Sequence, residues 1–169
     1  MIIAPKPDNE DKRLQALRDL LILDTTSEER FDRITQFAKF EFDVPIVVIS
    51  LIDDDRQWFK SVIGLDVCST SRDVAFCSHA ILQDHIMIVE DATKDERFFD
   101  NPLVTGDPLI RFYAGAQLAL PSGERVGTLC LIDQKPNTLD EVDLTILSSL
   151  RRMVVEELLT KPEKNLQKK

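Results

Sequence analysis

Leu14, Leu17 and Leu21 recur three and four positions apart, a period that predicts an amphipathic helix over residues 8–23. Leu20 and Ile22 widen its apolar stripe, and Asp24-Thr25-Thr26 breaks it. Thr26 and Glu29 have capping-box spacing, in which the hydroxyl accepts an orphan amide while the carboxylate reaches back. Phe31, Ile34, Phe37 and Ala38 then define one face of a second helix that runs to about Phe42. Pro45 closes it, because proline disfavours helix in the residue before it. The period changes there. Residues 46–52, IVVISLI, form the β-branched run of a strand covered on both faces. An acidic turn, Asp53-Asp54-Asp55-Arg56, reverses the chain into a second strand over 57–63 that Gly64 stops.

Polar residues 65–73 read as a loop, with Ser71 placed to cap a short helix over 74–82. A third strand over 86–89 follows, then an irregular segment over 94–106 punctuated by Pro102 and Gly106. Strands near 110–119 and 125–132 form a hairpin around Ser122-Gly123. Thr138 and Glu141 repeat the capping-box spacing before a helix over 139–159 whose apolar residues cover more than one face. Residues 1–9 read as a flexible N-terminus and 161–169 as a disordered basic tail. Residues 10–160 make one α+β domain, a mainly antiparallel sheet with terminal helices on one face and irregular segments on the other.

Composition narrows the function. The 169 residues suit one domain that buries about two-thirds of its unfolded surface. Thirty acidic against 21 basic residues give a net charge of −9. No predicted element carries a Lys/Arg stripe, which argues against nucleic acid as the partner. The acidic balance disfavours anionic membranes, and no apolar run approaches the length of a membrane span. The start MIIAPKP is too short and proline-rich for a secretory signal. Cys68, Cys77 and Cys130 cannot all pair within the chain and lack metal-ligand spacing. A cytoplasmic protein without a metal is expected.

A family resemblance is carried by many spaced residues between Leu14 and Leu159. Trp58 and Lys60 on the second strand precede Arg72 and the run Phe76-Cys77-Ser78-His79-Ala80-Ile81. Val89, Asp91-Ala92, Asp95, Arg97-Phe98 and Asn101-Pro102 come next, followed by Ile110-Arg111-Phe112-Tyr113-Ala114-Gly115 and Gly127-Thr128-Leu129-Cys130-Leu131-Ile132-Asp133. This pattern resembles the GAF domain family, in particular the subgroup found with diguanylate cyclases and histidine kinases and also found alone. The resemblance implies a GAF-like (PAS-like) six-stranded sheet with the first and last helices on one face and a roof segment over the other. It further implies a small-molecule sensor, with an unknown small metabolite between sheet and roof. Bacterial signal transduction through a homodimer of the first and last helices, or through a separate signalling enzyme, is the expected output of a stand-alone domain.

Six residues are expected to border the ligand: Trp58, Phe76, Cys77, Arg97, Arg111 and Tyr113. Arginine binds carboxylate or phosphate through two parallel hydrogen bonds, although Asp91 and Asp95 offer Arg97 a bracing role instead. Strand alternation puts Arg111 and Tyr113 on one face. Cys77 and His79 lie about 200° apart on a helix and cannot converge on one ion. One branch of the family, the free methionine-R-sulfoxide reductases, is catalytic. Cys68 and Cys77 are the pair that such thiol chemistry would use here, but residues 90–109 lack the further cysteine of that branch, so a protein that is not an enzyme is expected. A ligand-free dimerisation module is the remaining alternative.

Overall fold

The computed structural model describes residues 1–161. Helices α1 (Glu10–Asp19) and α2 (Glu29–Phe42) lead into strands β1 (Ile46–Ile52) and β2 (Arg56–Ile63). A three-residue strand, β3 (Ser69–Ser71), and a 3₁₀ turn then reach the short helix α3 (Cys77–Ala80). Strand β4 (Met87–Val89), helix α4 (Pro102–Thr105), strands β5 (Phe112–Ala119) and β6 (Arg125–Asp133), and helix α5 (Glu141–Leu159) complete the order. The six strands form one sheet in the order β3-β2-β1-β6-β5-β4, and each neighbouring pair is antiparallel.

Alternation along the central strands divides the core in two. Val47, Ile49 and Leu51 of β1, with Leu129 and Leu131 of β6, face a layer built from α1, α2 and α5. Leu17, Phe31, Ile34, Leu147, Leu150 and Val154 fill that layer. Ile46 and Val48 of β1, with Cys130 and Ile132 of β6, face the other way, toward Phe76, Ile81, Phe98 and Ile110 of the roof. The β-branched run of β1 is buried throughout because both faces are covered.

The polar loop expected over 65–73 contains β3, whose Ser-Thr-Ser sequence has no apolar signature and pairs at the sheet edge with Arg56–Trp58. Neither expected capping box forms. Helix α2 begins at Glu29 without a side-chain cap, since Thr25 and Thr26 instead hold Lys60 at 2.8 and 2.6 Å. Helix α5 is capped by Asp140, whose carboxylate and that of Asp143 exchange hydrogen bonds with each other's backbone amides. At the N-terminus, the Ile2 carbonyl lies 2.9 Å from Nε2 of His79, and Lys6 pairs with Asp54 at 2.9 Å. Of the expected basic tail, residues 162–169 lie outside the described residues.

Two buried cations fix α1 to the sheet. Glu10 accepts from Nε of Arg13 at 2.8 Å, and from both terminal nitrogens of Arg72. Arg13 also donates to the Ile52 carbonyl at 2.7 Å, and Arg72 to the Asp53 carbonyl at 3.0 Å. Buried guanidinium groups persist only when paired and hydrogen-bonded in this way.

Candidate functional site

Between the sheet and the roof lies a cavity of about 520 Å³, within the range of small-molecule sites. Its floor is Val48, Cys130 and Ile132 from the central strands together with Gln57 and Phe59 of β2. Phe76 and Cys77 form one wall, with Tyr113 beside them. Leu65, Asp66 and Val67 stand on one side of the mouth, with Leu103, Asp107, Pro108 and Ile110 on the other. Asp66 and Asp107 are the charged side chains of this lining among the described residues, and none of those residues contributes a Lys or Arg to it.

Gly115 allows the Tyr113 ring to lie along β5. A methyl group on residue 115 would collide with the Tyr113 hydroxyl and two of its ring carbons. That path brings the hydroxyl to Sγ of Cys77, to which it donates at 3.1 Å. The Thr128 hydroxyl donates to the same sulfur at 3.0 Å, and Sγ of Cys130 lies 3.9 Å away. Phe76 stacks on Phe98 with ring centroids 3.9 Å apart and an interplanar angle of 6°, which holds the α3 wall against the roof.

Burial pushes the Cys77 thiol up, but hydrogen bonds from Cys130, Thr128 and Tyr113 outweigh it and bring its pKa from 9.0 to about 7. Ser50 adds less, because its hydroxyl is committed to Gln57 at 2.8 Å. Cys130 is driven well up, first by its hydrogen bond with Cys77 and then by burial. Burial, followed by the Cys77 charge, raises Tyr113 as well.

Of the six residues expected at one site, the structure brings Phe76, Cys77 and Tyr113 together and places Trp58, Arg97 and Arg111 elsewhere. Trp58 alternates with Gln57 and Phe59 and so faces the helix layer, where it is 7% exposed. Arg97 grips Asp95 at 2.8 and 3.0 Å and stacks over Phe98 at 4.9 Å, the bracing role weighed for it. Arg111 precedes β5 and turns its guanidinium onto the Val104 and Ile110 carbonyls at 2.9 and 3.0 Å, which ties down the end of α4. His79 points away from Cys77 and meets Phe98 edge-on at 5.0 Å.

Cys68 is exposed and borders a different depression beside Trp58 and Lys60, so it does not pair with Cys77. The thiol that Cys77 meets is Cys130. Sequence reasoning gave no site role to Cys130, Thr128 or Gln57. Their signal was available: Ser50, Thr128 and Cys130 are polar or thiol residues at alternate positions of otherwise apolar strands.

Residues 26–158 match the GAF domain family, and the chain belongs to it. The chain is 42% identical over 161 residues to a cyclic di-GMP phosphodiesterase of Pseudomonas aeruginosa. That match takes in 95% of this chain but 27% of the relative, so the chain spans about a quarter of the relative's length. Its fold is shared with the GAF domain of an Acinetobacter phosphoenolpyruvate-protein phosphotransferase, with a TM-score of 0.63 and 19% identity over 87% of this chain and 92% of that one. A type II free methionine-R-sulfoxide reductase from Thermoplasma acidophilum also superposes, with a TM-score of 0.63 and 15% identity over 76% of this chain and 89% of that one. The sequence reading expected a protein that is not an enzyme. That expectation is overturned, since the Pseudomonas relative and the Thermoplasma neighbour are both enzymes by name. GAF domains are a common small-molecule-binding sensory fold and often dimerise. Among the described residues, no helix is long and apolar enough to cross a membrane.

Proposed function

We propose that this chain is a ligand-sensing unit whose cavity takes a neutral or cationic, largely apolar small molecule, and whose occupancy regulates cyclic di-GMP hydrolysis. The observation that carries the ligand class is the cavity lining. Its aromatic and aliphatic walls carry Asp66 and Asp107 at the mouth and no cationic side chain. A phosphate or carboxylate entering it would lose its hydration without gaining a counter-charge, which is costly in an apolar site. An organic cation would instead meet two carboxylates and the faces of aromatic rings, a combination that favours it. This replaces the anionic ligand that Arg97 and Arg111 had suggested. The regulated reaction is inferred from the name of the Pseudomonas relative, of which this chain resembles about a quarter.

The output in this reading is a change of geometry between two copies in the cytoplasm. Phe37 and Phe40 of α2 and Val142 and Met153 of α5 are exposed large apolar residues on the helix layer, which favours a dimer built on that face. A ligand shifts such a dimer only by binding its two arrangements with different affinity. Native mass spectrometry of the protein as purified tests both points. A discrete neutral or cationic adduct on a dimer is the expected spectrum. An anionic nucleotide as the adduct would overturn the ligand class, and a monomer at all concentrations would overturn the output.

A further inference from the structure

Two thiols from different elements meet at the base of the cavity. Cys77 begins α3, Cys130 lies in the middle of β6, and their sulfurs are 3.9 Å apart. Both line the cavity, yet they are 2% and 1% exposed. Both thiols therefore belong to the cavity wall and not to the outer surface. The Tyr113 and Thr128 hydroxyls converge on the Cys77 sulfur. Sulfur that accepts two hydroxyl hydrogens is held ready for the anionic form, which is the nucleophile in thiol chemistry. A buried cysteine that served only as packing would need neither donor.

We propose that Cys77 and Cys130 form a peroxide-reactive dithiol, with Cys77 the nucleophile and Cys130 the resolving thiol. The proposal rests on the reading that the cavity admits small molecules. The Cys77 thiolate attacks the terminal oxygen of a hydroperoxide, forming the S–O bond as the O–O bond breaks. The alkoxide or hydroxide that leaves takes a proton from solvent and departs as alcohol or water. The sulfur of Cys130 then attacks the Cys77 sulfenic acid. The S–S bond forms, the S–O bond breaks, and the hydroxide leaves as water with the Cys130 proton. The pair has lost two electrons and the hydroperoxide has gained them.

Closing the bond draws the sulfurs from 3.9 Å to about 2.05 Å. Because β6 is fixed between β1 and β5, the movement falls on α3 and withdraws Cys77 from Tyr113 and Thr128. Ser78, the next residue of α3, donates to the Arg72 carbonyl at 2.7 Å, and Arg72 grips Glu10 of α1. Oxidation of the pair is thus mechanically joined to the helix layer.

The test treats the full chain, with Cys68→Ser to remove the exposed thiol, with cumene hydroperoxide, an apolar peroxide suited to the cavity. The expected product is lighter by about 2 Da, reverts with dithiothreitol, and yields a Cys77–Cys130 peptide on digestion without reduction. With Cys130→Ser added, oxidation is expected to stop at a product heavier by about 16 Da that dimedone captures at Cys77. Peptide mapping of the unaltered protein gives the same answer should a variant fail to fold. An unmodified pair after complete oxidation of Cys68 in that protein would overturn the proposal. So would over-oxidation of Cys77 without any disulfide. A ligand adduct in the native spectrum together with an unreactive pair would sink the dithiol alone and leave the cavity reading standing.

Discussion

Replacing Glu10 by Gln tests how strongly α1 is fastened to the rest of the fold. Burial pushes the Glu10 carboxyl up, but the hydrogen bonds and charges of Arg72 and Arg13 bring it down from 4.5 to about 2. At about 1.4 kcal/mol per tenfold change in acidity, that difference corresponds to about 3 kcal/mol. Water reaches the cluster from one side, where the Glu10 side chain is 12% exposed, and screening lowers the figure to about 2 kcal/mol. Because the folded pKa lies below the unfolded one, the stabilisation is fully present above pH 4.5. It is lost as the pH falls from there toward 2. Urea unfolding of the parent and of Glu10→Gln at a series of pH values measures it. The variant is expected to be less stable by about 2 kcal/mol at pH 7, with less than half of that gap left at about pH 3. A gap that stays constant across this range would refute the ionic account, and a gap below about 0.5 kcal/mol at neutral pH would refute the cluster's importance altogether.

Three further substitutions address the cavity. Gly115→Ala should cost about 1–3 kcal/mol by overpacking against Tyr113; in urea titrations the cost should shrink when Tyr113→Phe is added, and purely additive losses would show the contact is not responsible. Thr128→Val removes a donor from the Cys77 sulfur, so its pKa should rise from about 7 toward the ordinary thiol value of 9.0. Ultraviolet thiolate absorbance against pH reads the midpoint directly, and an unmoved midpoint would contradict the arrangement. Arg111→Ala strips a charged donor from the Val104 and Ile110 carbonyls and should lower stability by about 1–2 kcal/mol. Affinity for any molecule found in the native spectrum should not change, and a selective loss of binding would put Arg111 back at the site.

Hydrophobic period and turn chemistry made most of the fold legible. The IVVISLI run, the hairpin at Ser122-Gly123 and the stripe of α2 lie within a few residues of where they were expected. The failures share a cause, which is a local signal overruled by a distant partner. Thr26 has the spacing of a helix cap, but the buried ammonium of Lys60, 34 positions further along the chain, claims its carbonyl. Ser69–Ser71 looks like loop because an edge strand needs backbone pairing and no apolar side chain. Phe76, Cys77 and Tyr113, chosen from a motif, line the cavity, whereas Arg97 and Arg111 lie outside its lining. Here Asp95 and two carbonyls satisfy those charges internally. Cys130 was given no site role, yet alternation from Thr128 along β6 is what aims it at Cys77.

Both rims of the sheet are three-residue strands, β3 and β4. Such short rims offer few free amides and carbonyls to an incoming chain, so lateral growth by strand addition has little to build on. The long strands β1 and β6, which would template a fibril if uncovered, have paired neighbours on both sides, and β5 meets β4 over Tyr113–Gly115. The sheet edges thereby disfavour open-ended stacking, which suits the closed dimer proposed above. In the proposed dimer, a rearrangement of the helices would leave those rims as they are.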